Sequence, residues 1–177
     1  MHDSLRQISH LQQALSHNKK SIGVFLGAGC PLAVRTNHRS EVKTKKEFSD
    51  PIIPDVHGLT SFIGDELSSD GGSPSNYDKL IQKMDDDGLE DYNIEDILSQ
   101  IRSLKQVVGN GEVRGFKAED LDDLDKDICE IIAKKVDKEL DSTNTPYHNL
   151  AIWVRSINRD KPVHIFTSNY DLLMEQA

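Results

Sequence analysis

Two short segments near opposite ends of the chain constrain its fold most: Gly-Ala-Gly-Cys at residues 27–30 and Thr-Ser-Asn-Tyr-Asp at residues 167–171. Each segment directly follows an apolar run, residues 22–26 in the first case and residues 163–166 in the second. Such runs are typical of parallel strands covered on both faces, and the turns after parallel strands lie at one edge of the sheet. The pattern therefore predicts an α/β protein with a ligand site at the strand ends.

The residue types in the two turns suit a ligand that carries a pyrophosphate and reacts at the end distant from it. Gly27, Ala28 and Gly29 let backbone N–H groups approach a pyrophosphate closely, because little or no side chain stands in the way. Asn169 and Asp171 can hold a sugar hydroxyl, a water or an amide group. Each motif also has a purely structural alternative. The glycines would then form a tight turn that binds no ligand, and Asn169 and Asp171 would form an Asx turn that caps the next helix.

Together the two motifs resemble the sirtuin-like NAD-binding domain, in the divergent form found in bacterial antiphage defence proteins that hydrolyse NAD+. Supporting segments lie at residues 53–59, 93–98 and 145–150. The resemblance runs from about residue 21 to Ala177, the last residue, which is most of the chain. It implies a Rossmann-like α/β fold, with a doubly wound parallel sheet and a helical insertion.

The resemblance also implies how the chain is organised. One NAD-binding domain is expected over residues 1–177, with a leading helix in residues 1–20 and a mainly helical insertion over residues 68–160. Two predicted strands are too few for a complete sheet, and the sequence stops at Ala177, just inside a predicted helix. We therefore expect the sequence to be the N-terminal portion of a longer fold, which on its own would be inactive.

The resemblance implies a role for each residue of the two motifs. The residues implied to bind NAD+ are Gly27, Ala28, Gly29, Cys30, Thr167, Ser168 and Asn169. Asn169 is also implied to be catalytic, and Asp171 to contact the nicotinamide end of the substrate. The family's general-base His is expected beyond Ala177, so none of the seven histidines of the sequence receives that role.

Two residues after the glycines need separate comment. The family usually has Ser where this chain has Pro31, and proline offers neither a hydroxyl nor an N–H group. One phosphate contact is therefore expected to be absent or replaced. Cys30 is a possible nucleophile by its position near a helix start, but packing at the cofactor site is the favoured interpretation because no His or Asp partner is identifiable.

Apolar residues at helical spacing predict the elements between and around the two strands. Helices are predicted over residues 5–17, 58–67, 77–84, 94–108, 121–140 and 147–157. A polar loop is predicted over residues 31–54 and a linker over residues 68–76, and the Gly-Asn-Gly of residues 109–111 is predicted to end a helix. The basic stretch at residues 35–46 is interpreted as a solvated loop.

Composition excludes some classes of function. The formal net charge of −9 disfavours direct nucleic-acid binding, which needs clustered Lys and Arg. No apolar stretch approaches the roughly 20 residues that span a bilayer, and the N-terminus does not resemble a signal peptide. With only two cysteines in unrelated contexts, a cytoplasmic location is expected.

Three functions stay open at this stage. The first is an NAD+ glycohydrolase that releases nicotinamide and ADP-ribose as the effector of an antiphage, abortive-infection system. The second is an NAD-dependent protein deacylase, which usually carries a Cys₄ zinc module that two cysteines cannot supply. The third is a non-catalytic, nucleotide-sensing scaffold. The resemblance implies a homo-oligomer and allows a separate sensor or an ATPase/helicase partner.

Overall fold

The computed structural model describes residues 3–16, 18, 20–35, 50–140 and 145–177. The chain divides into two compact units. We call residues 1–34 and 139–177 the sheet unit, and residues 35–138 the helical unit. The helical unit is thus inserted within the sequence of the sheet unit, with bounds that differ from the insertion predicted over residues 68–160.

Helices make up most of the described structure. In chain order the helices are α1 (Ser4–Ser16), α2 (Val56–Leu67), α3 (Asn76–Asp86), α4 (Ile94–Val108), α5 (Ala118–Val136), α6 (Pro146–Ser156) and α7 (Leu173–Gln176). The strands are β1 (Ile22–Leu26), β2 (Glu112–Val113), β3 (Phe116–Lys117) and β4 (Val163–Thr167), and a short 3₁₀ turn covers Cys30–Ala33. The predicted mixture of helices and strands is therefore confirmed.

The sheet unit is built on a parallel pair of strands. β1 and β4 run in the same direction, in a register that starts with Ile22 opposite Val163 and ends with Leu26 opposite Thr167. The predicted parallel orientation of the two apolar runs is confirmed, and the structure shows that they are neighbours. Within the described ranges this sheet has two strands, so a doubly wound sheet stays a prediction.

One face of this strand pair is open to solvent. Phe25 and Phe166 are opposite each other in the register and are 70% and 55% exposed. The ring of His164 lies beside that of Phe166, with 6.2 Å between ring centroids. The expectation that β1 is covered on both faces is therefore wrong: its side chains alternate between a half-buried and an exposed face, as the pleat of a strand requires.

Hydrogen bonds from Arg159 hold the C-terminal end of α1 in place. The guanidinium group of Arg159 donates to the carbonyl oxygens of Leu15 at 2.8 Å and Lys20 at 2.6 Å. The apolar stripe of α1 is nevertheless exposed, and no residue of this helix is buried. Amphipathic spacing correctly predicts the helix here, but not the burial of its stripe.

The chain's last helix, α7, is short. It covers four residues, Leu173–Gln176, and Ala177 is its C-cap, with an N–H that donates to the carbonyl oxygen of Met174 at 3.4 Å. The prediction that a helix begins before the end of the sequence is confirmed. A further part of the fold beyond Ala177 stays a prediction.

The helical unit has a continuous apolar core. The fully or nearly buried residues of this core are Leu59, Ile63, Tyr77, Leu80, Met84, Ile94, Ile97, Leu98, Ile101, Leu104, Val108, Phe116, Leu121, Leu124 and Ile128. α4 supplies the longest stripe, which begins after the capping side chain of Asn93 and ends at Gly109 with its φ of 54°. Both ends of α4 agree with the prediction.

Several features of the helical unit differ from the predictions. β2 and β3 form an unpredicted antiparallel hairpin, whose two turn residues Arg114 and Gly115 have φ values of 53° and 85°. Positive φ at both positions is the signature of the tight turns that suit hairpins. α5 begins three residues before the predicted start, because the N–H of Lys117 donates to Asp120 at 2.9 Å. Beyond Arg35, the predicted basic loop lies outside the described residues.

Candidate functional site

The register of β1 and β4 brings the two predicted motifs to one edge of the sheet unit. Leu26 and Thr167 are partners at the ends of their strands, and the N–H of Ser168 donates to the carbonyl oxygen of Leu26 at 3.4 Å. Residues 27–30 and 168–171 therefore both leave the sheet at this edge, which we call the strand-end edge. It is the edge at which open parallel sheets bind ligands.

The glycine turn presents unused backbone donors at the strand-end edge. The N–H of Cys30 donates to the carbonyl oxygen of Gly27 at 2.9 Å, and this bond closes the turn. Within the part of the chain that the structure describes, the N–H groups of Ala28 and Gly29 have no acceptor, and both residues are exposed. Two adjacent exposed donors can bind an anionic oxygen.

The packing of the described residues does not require glycine at either position of this turn. A Cβ atom added at Gly27 or Gly29 would meet no described atom within 4 Å. Gly29 has φ −79° and ψ −14°, a right-handed conformation that any residue adopts. The absence of side chains thus leaves open space above the turn, where a ligand can approach the backbone.

Asn169 and Asp171 have different local environments. The N–H of Asn169 donates to Thr167 Oγ1 at 2.9 Å, whereas its side-chain Oδ1 atom is buried and has no hydrogen-bond partner among the described residues. The Oδ1 atom of Asp171 accepts a hydrogen bond from the N–H of Leu173 at 3.0 Å. The Asx-turn alternative therefore applies to Asp171, and Asn169 keeps an unused acceptor.

The remaining predicted site residues lie around these groups. Thr167 and Ser168 are exposed at the end of β4, and Cys30 is half-buried at the start of the 3₁₀ turn. Pro31 is buried in the first turn of this short helix, a position that suits proline because its missing N–H is not needed there. Pro31 is thus accommodated by the fold.

Sequence reasoning missed Tyr147, the second residue of α6. The residue is almost fully buried, and its hydroxyl group has no hydrogen-bond partner within the described ranges. Burial raises the pKa of Tyr147, and the carboxyl of Asp171, the thiol of Cys30 and the carboxyl of Glu175 raise it further. The sequence gives little indication that Tyr147 is a candidate site residue, because a tyrosine beside a helix start is commonly a packing residue.

Two histidines of the described residues lie near helix starts. His148 lies in the first turn of α6, where its N–H donates to Thr145 Oγ1 and its Nδ1 lies 2.8 Å from the same hydroxyl. His148 thus takes part in the helix cap. His57 is exposed near the start of α2. The general-base His expected beyond Ala177 stays a prediction, because the described residues end at Ala177.

A concave surface is present on the helical unit. This cleft has a volume of about 360 Å³ and is lined by Met84, Leu89, Glu90, Asp91, Tyr92, Asp96, Ser99, Gln100 and Ser103. Its three carboxylates and the lack of a basic lining residue disfavour a phosphate-bearing ligand. The cleft is therefore not the predicted nucleotide site.

The His, Cys, Asp and Glu side chains of the described residues form no group of three or more that could hold a metal ion. No described helix is both long enough and apolar enough to cross a bilayer.

No protein-family model matches this chain, and no curated protein matches it. The resemblance to the sirtuin-like domain therefore rests on the motifs at the strand-end edge and on their supporting segments.

Proposed function

We propose that the protein is an NAD+ glycohydrolase with a sirtuin-like, doubly wound fold, and that it acts as the effector of a bacterial antiphage system in the cytoplasm. One observation carries the proposal: the strands that precede the two motifs are parallel neighbours, and the Asn169 Oδ1 atom at their edge is buried yet unpartnered. A buried acceptor without a partner is unfavourable in the free protein, and a bound ligand would supply the missing donor.

The two sides of the strand-end edge suit the two ends of NAD+. On the β1 side, the unused N–H groups of Ala28 and Gly29 would bind the pyrophosphate, and Gly27 and Gly29 leave room for it. Cys30 would pack beside the cofactor, and Thr167 and Ser168 would line the opposite side. The nicotinamide end would lie toward Asn169 and Asp171.

The proposed reaction is hydrolysis of the bond between nicotinamide and ribose. Water adds to the anomeric carbon, the carbon–nitrogen bond breaks, and its electron pair leaves with neutral nicotinamide while a proton is released. The sugar passes through a cationic, oxocarbenium-like transition state, as in glycoside hydrolysis. The Asn169 amide oxygen would hold the ribose hydroxyl or the water, and the carboxylate of Asp171 would hold the carboxamide of nicotinamide.

Nicotinamide release from NAD+ by the full-length protein tests the proposal, alone and together with the products of neighbouring genes. Asn169→Ala should abolish release and leave the fold intact, because the Oδ1 atom has no partner to lose. Asn158→Ala, in the exposed connection before β4, is the matched control and should retain full release. Absence of NAD+ binding by the unaltered protein would overturn the proposal.

A second function, a nucleotide-sensing scaffold that oligomerises, is favoured by the exposed apolar side chains of α1. Leu5, Ile8 and Leu11 are all more than half exposed. A homo-oligomer, with or without a sensor or ATPase/helicase partner, would cover them. NAD+ binding without nicotinamide release under any condition would support the scaffold over the hydrolase.

A further inference from the structure

Tyr147 carries a buried hydroxyl group that the chain itself leaves unpaired. The side chain is only 4% exposed, and its Oη atom has no hydrogen-bond partner in the described structure. Tyr92 provides the contrast, since its Oη atom donates to Asp85 Oδ1 at 2.9 Å. Because buried hydroxyl groups in proteins nearly always have a partner, the unpaired hydroxyl of Tyr147 requires an explanation.

The position of Tyr147 puts this hydroxyl group near the strand-end edge. Tyr147 lies in the first turn of α6, and residues 157–162 form a short connection from the end of α6 to the start of β4. A short connection makes neighbouring elements antiparallel, so the first turn of α6 lies toward the end of β4. Burial raises the pKa of Tyr147, and Asp171, Cys30 and Glu175, which belong to the segments that follow β1 and β4, raise it further.

The buried residues of the sheet unit concentrate in the segments around this edge. Among the described residues of the unit, the buried ones are Leu26, Pro31, Val34, Thr145, Tyr147, Asp171 and Leu173. The middle positions of both strands are at most half-buried. Tyr147 therefore belongs to the best-packed part of its unit, where the position of a side chain is well defined.

We propose that the Tyr147 hydroxyl binds the ligand by donating a hydrogen bond to a hydroxyl oxygen of the ribose at the nicotinamide end of NAD+. This assignment rests on the proposed function and deepens it. The carboxylates of Asp171 and Glu175 near Tyr147 disfavour a phosphate group there, whereas a sugar hydroxyl is neutral and also can donate to a carboxylate. The anionic pyrophosphate would instead be bound by the N–H groups of Ala28 and Gly29.

The test compares Tyr147→Phe with Tyr92→Phe in the full-length protein, using ADP-ribose and ADP as probes that a glycohydrolase does not consume. ADP-ribose retains the ribose in question, and ADP lacks it. Tyr147→Phe should weaken ADP-ribose binding about tenfold, leave ADP binding unchanged, and leave the melting temperature unchanged or raised. Tyr92→Phe should lower the melting temperature and leave both dissociation constants unchanged.

The other outcomes separate this assignment from the proposed function. If the unaltered protein binds ADP-ribose and Tyr147→Phe binds it equally well, the assignment of Tyr147 is overturned and the proposed function stands. Equal weakening of ADP and ADP-ribose binding would overturn the assignment to this ribose. A lowered melting temperature of Tyr147→Phe would overturn the premise of an unpaired hydroxyl. If the unaltered protein binds neither probe, the proposed function is overturned, and so is the assignment of Tyr147 that rests on it.

Discussion

The carboxylate of Asp171 accepts a hydrogen bond from the N–H of Leu173 at 3.0 Å, and both residues are buried. This bond orders the backbone between β4 and α7, directly after Asn169. The same carboxylate is proposed to contact nicotinamide. One side chain would thus combine a structural role with the proposed chemical one, and substitutions that differ in charge and in hydrogen-bonding capacity can separate the two.

Asp171→Ala should lower the free energy of unfolding by about 1–2 kcal/mol, because a buried N–H loses its acceptor. Asp171→Asn should be much less destabilising, since its amide oxygen can accept the same bond. Both substitutions should strongly reduce nicotinamide release. Chemical denaturation and a release assay measure the two effects, and full release by Asp171→Asn would show that the carboxylate has only a structural role.

Gly29→Ala should weaken NAD+ binding without destabilising the protein. The added methyl group meets no described atom within 4 Å, and the backbone conformation of Gly29 suits alanine. The lower entropy of the unfolded chain should even add about 0.4–1 kcal/mol of stability. Gly109→Ala is the contrasting control, because its φ of 54° is unfavourable for alanine, and it should destabilise the helical unit but leave binding unchanged.

The stability of the helical unit should depend on the ionisation of Asp78. Hydrogen bonds from the Ser69 side chain and from the Ser75 and Ser69 backbones hold the pKa of Asp78 well below its usual value. A pKa lowered by folding means that the stabilisation is fully present above the unfolded pKa of about 4 and is lost as the pH falls through the folded value. The melting-temperature difference between the wild-type protein and Asp78→Ala should therefore be constant from pH 7 to pH 5 and should shrink below about pH 4.

Asp127→Ala, on an exposed position of α5, is the control for this pH series. It should give a small difference in melting temperature across the same range. If the Asp78→Ala difference persists undiminished at low pH, the contribution of Asp78 does not depend on its charge.

Truncation of a buried residue of α4 should destabilise the protein far more than truncation of an exposed residue of the same helix. Ile101 is completely buried in α4, so Ile101→Ala should lower the free energy of unfolding by about 2–5 kcal/mol through lost burial and a residual cavity. Val107→Ala on the same helix removes a side chain that is 68% exposed and should cost less than about 0.5 kcal/mol. Equal effects in urea denaturation would contradict the observed packing of α4.

The extent to which the sequence predicts the structure differs between elements. The bounds of α4 follow from local signals alone: Asn93 caps its start, Gly109 ends it, and the apolar stripe between them has helical period. The hairpin of β2 and β3 has two-residue strands that carry no periodicity, so only the turn residue Gly115 marks it.

Some features of the candidate site could be predicted from the sequence and others could not. Gly27 and Asn169 are recognisable because small and amide-bearing residues directly follow apolar strands, and the parallel orientation of those strands was predicted. The unused Oδ1 of Asn169 and the unpaired hydroxyl of Tyr147 were not predictable, because hydrogen-bond satisfaction depends on tertiary packing. The exposure of Phe25 likewise depends on whether anything covers the sheet.

The insertion of the helical unit between β1 and β4 also has a kinetic consequence. Pairing Ile22 with Val163 closes a loop of roughly 140 residues, and such closure is entropically unfavourable unless the loop is already compact. The contacts of the helical unit join helices that are closer in sequence, and contacts of that kind form faster. We therefore expect the helical unit to fold first and the strand pair last, so that a newly made chain acquires its strand-end edge only in the final step.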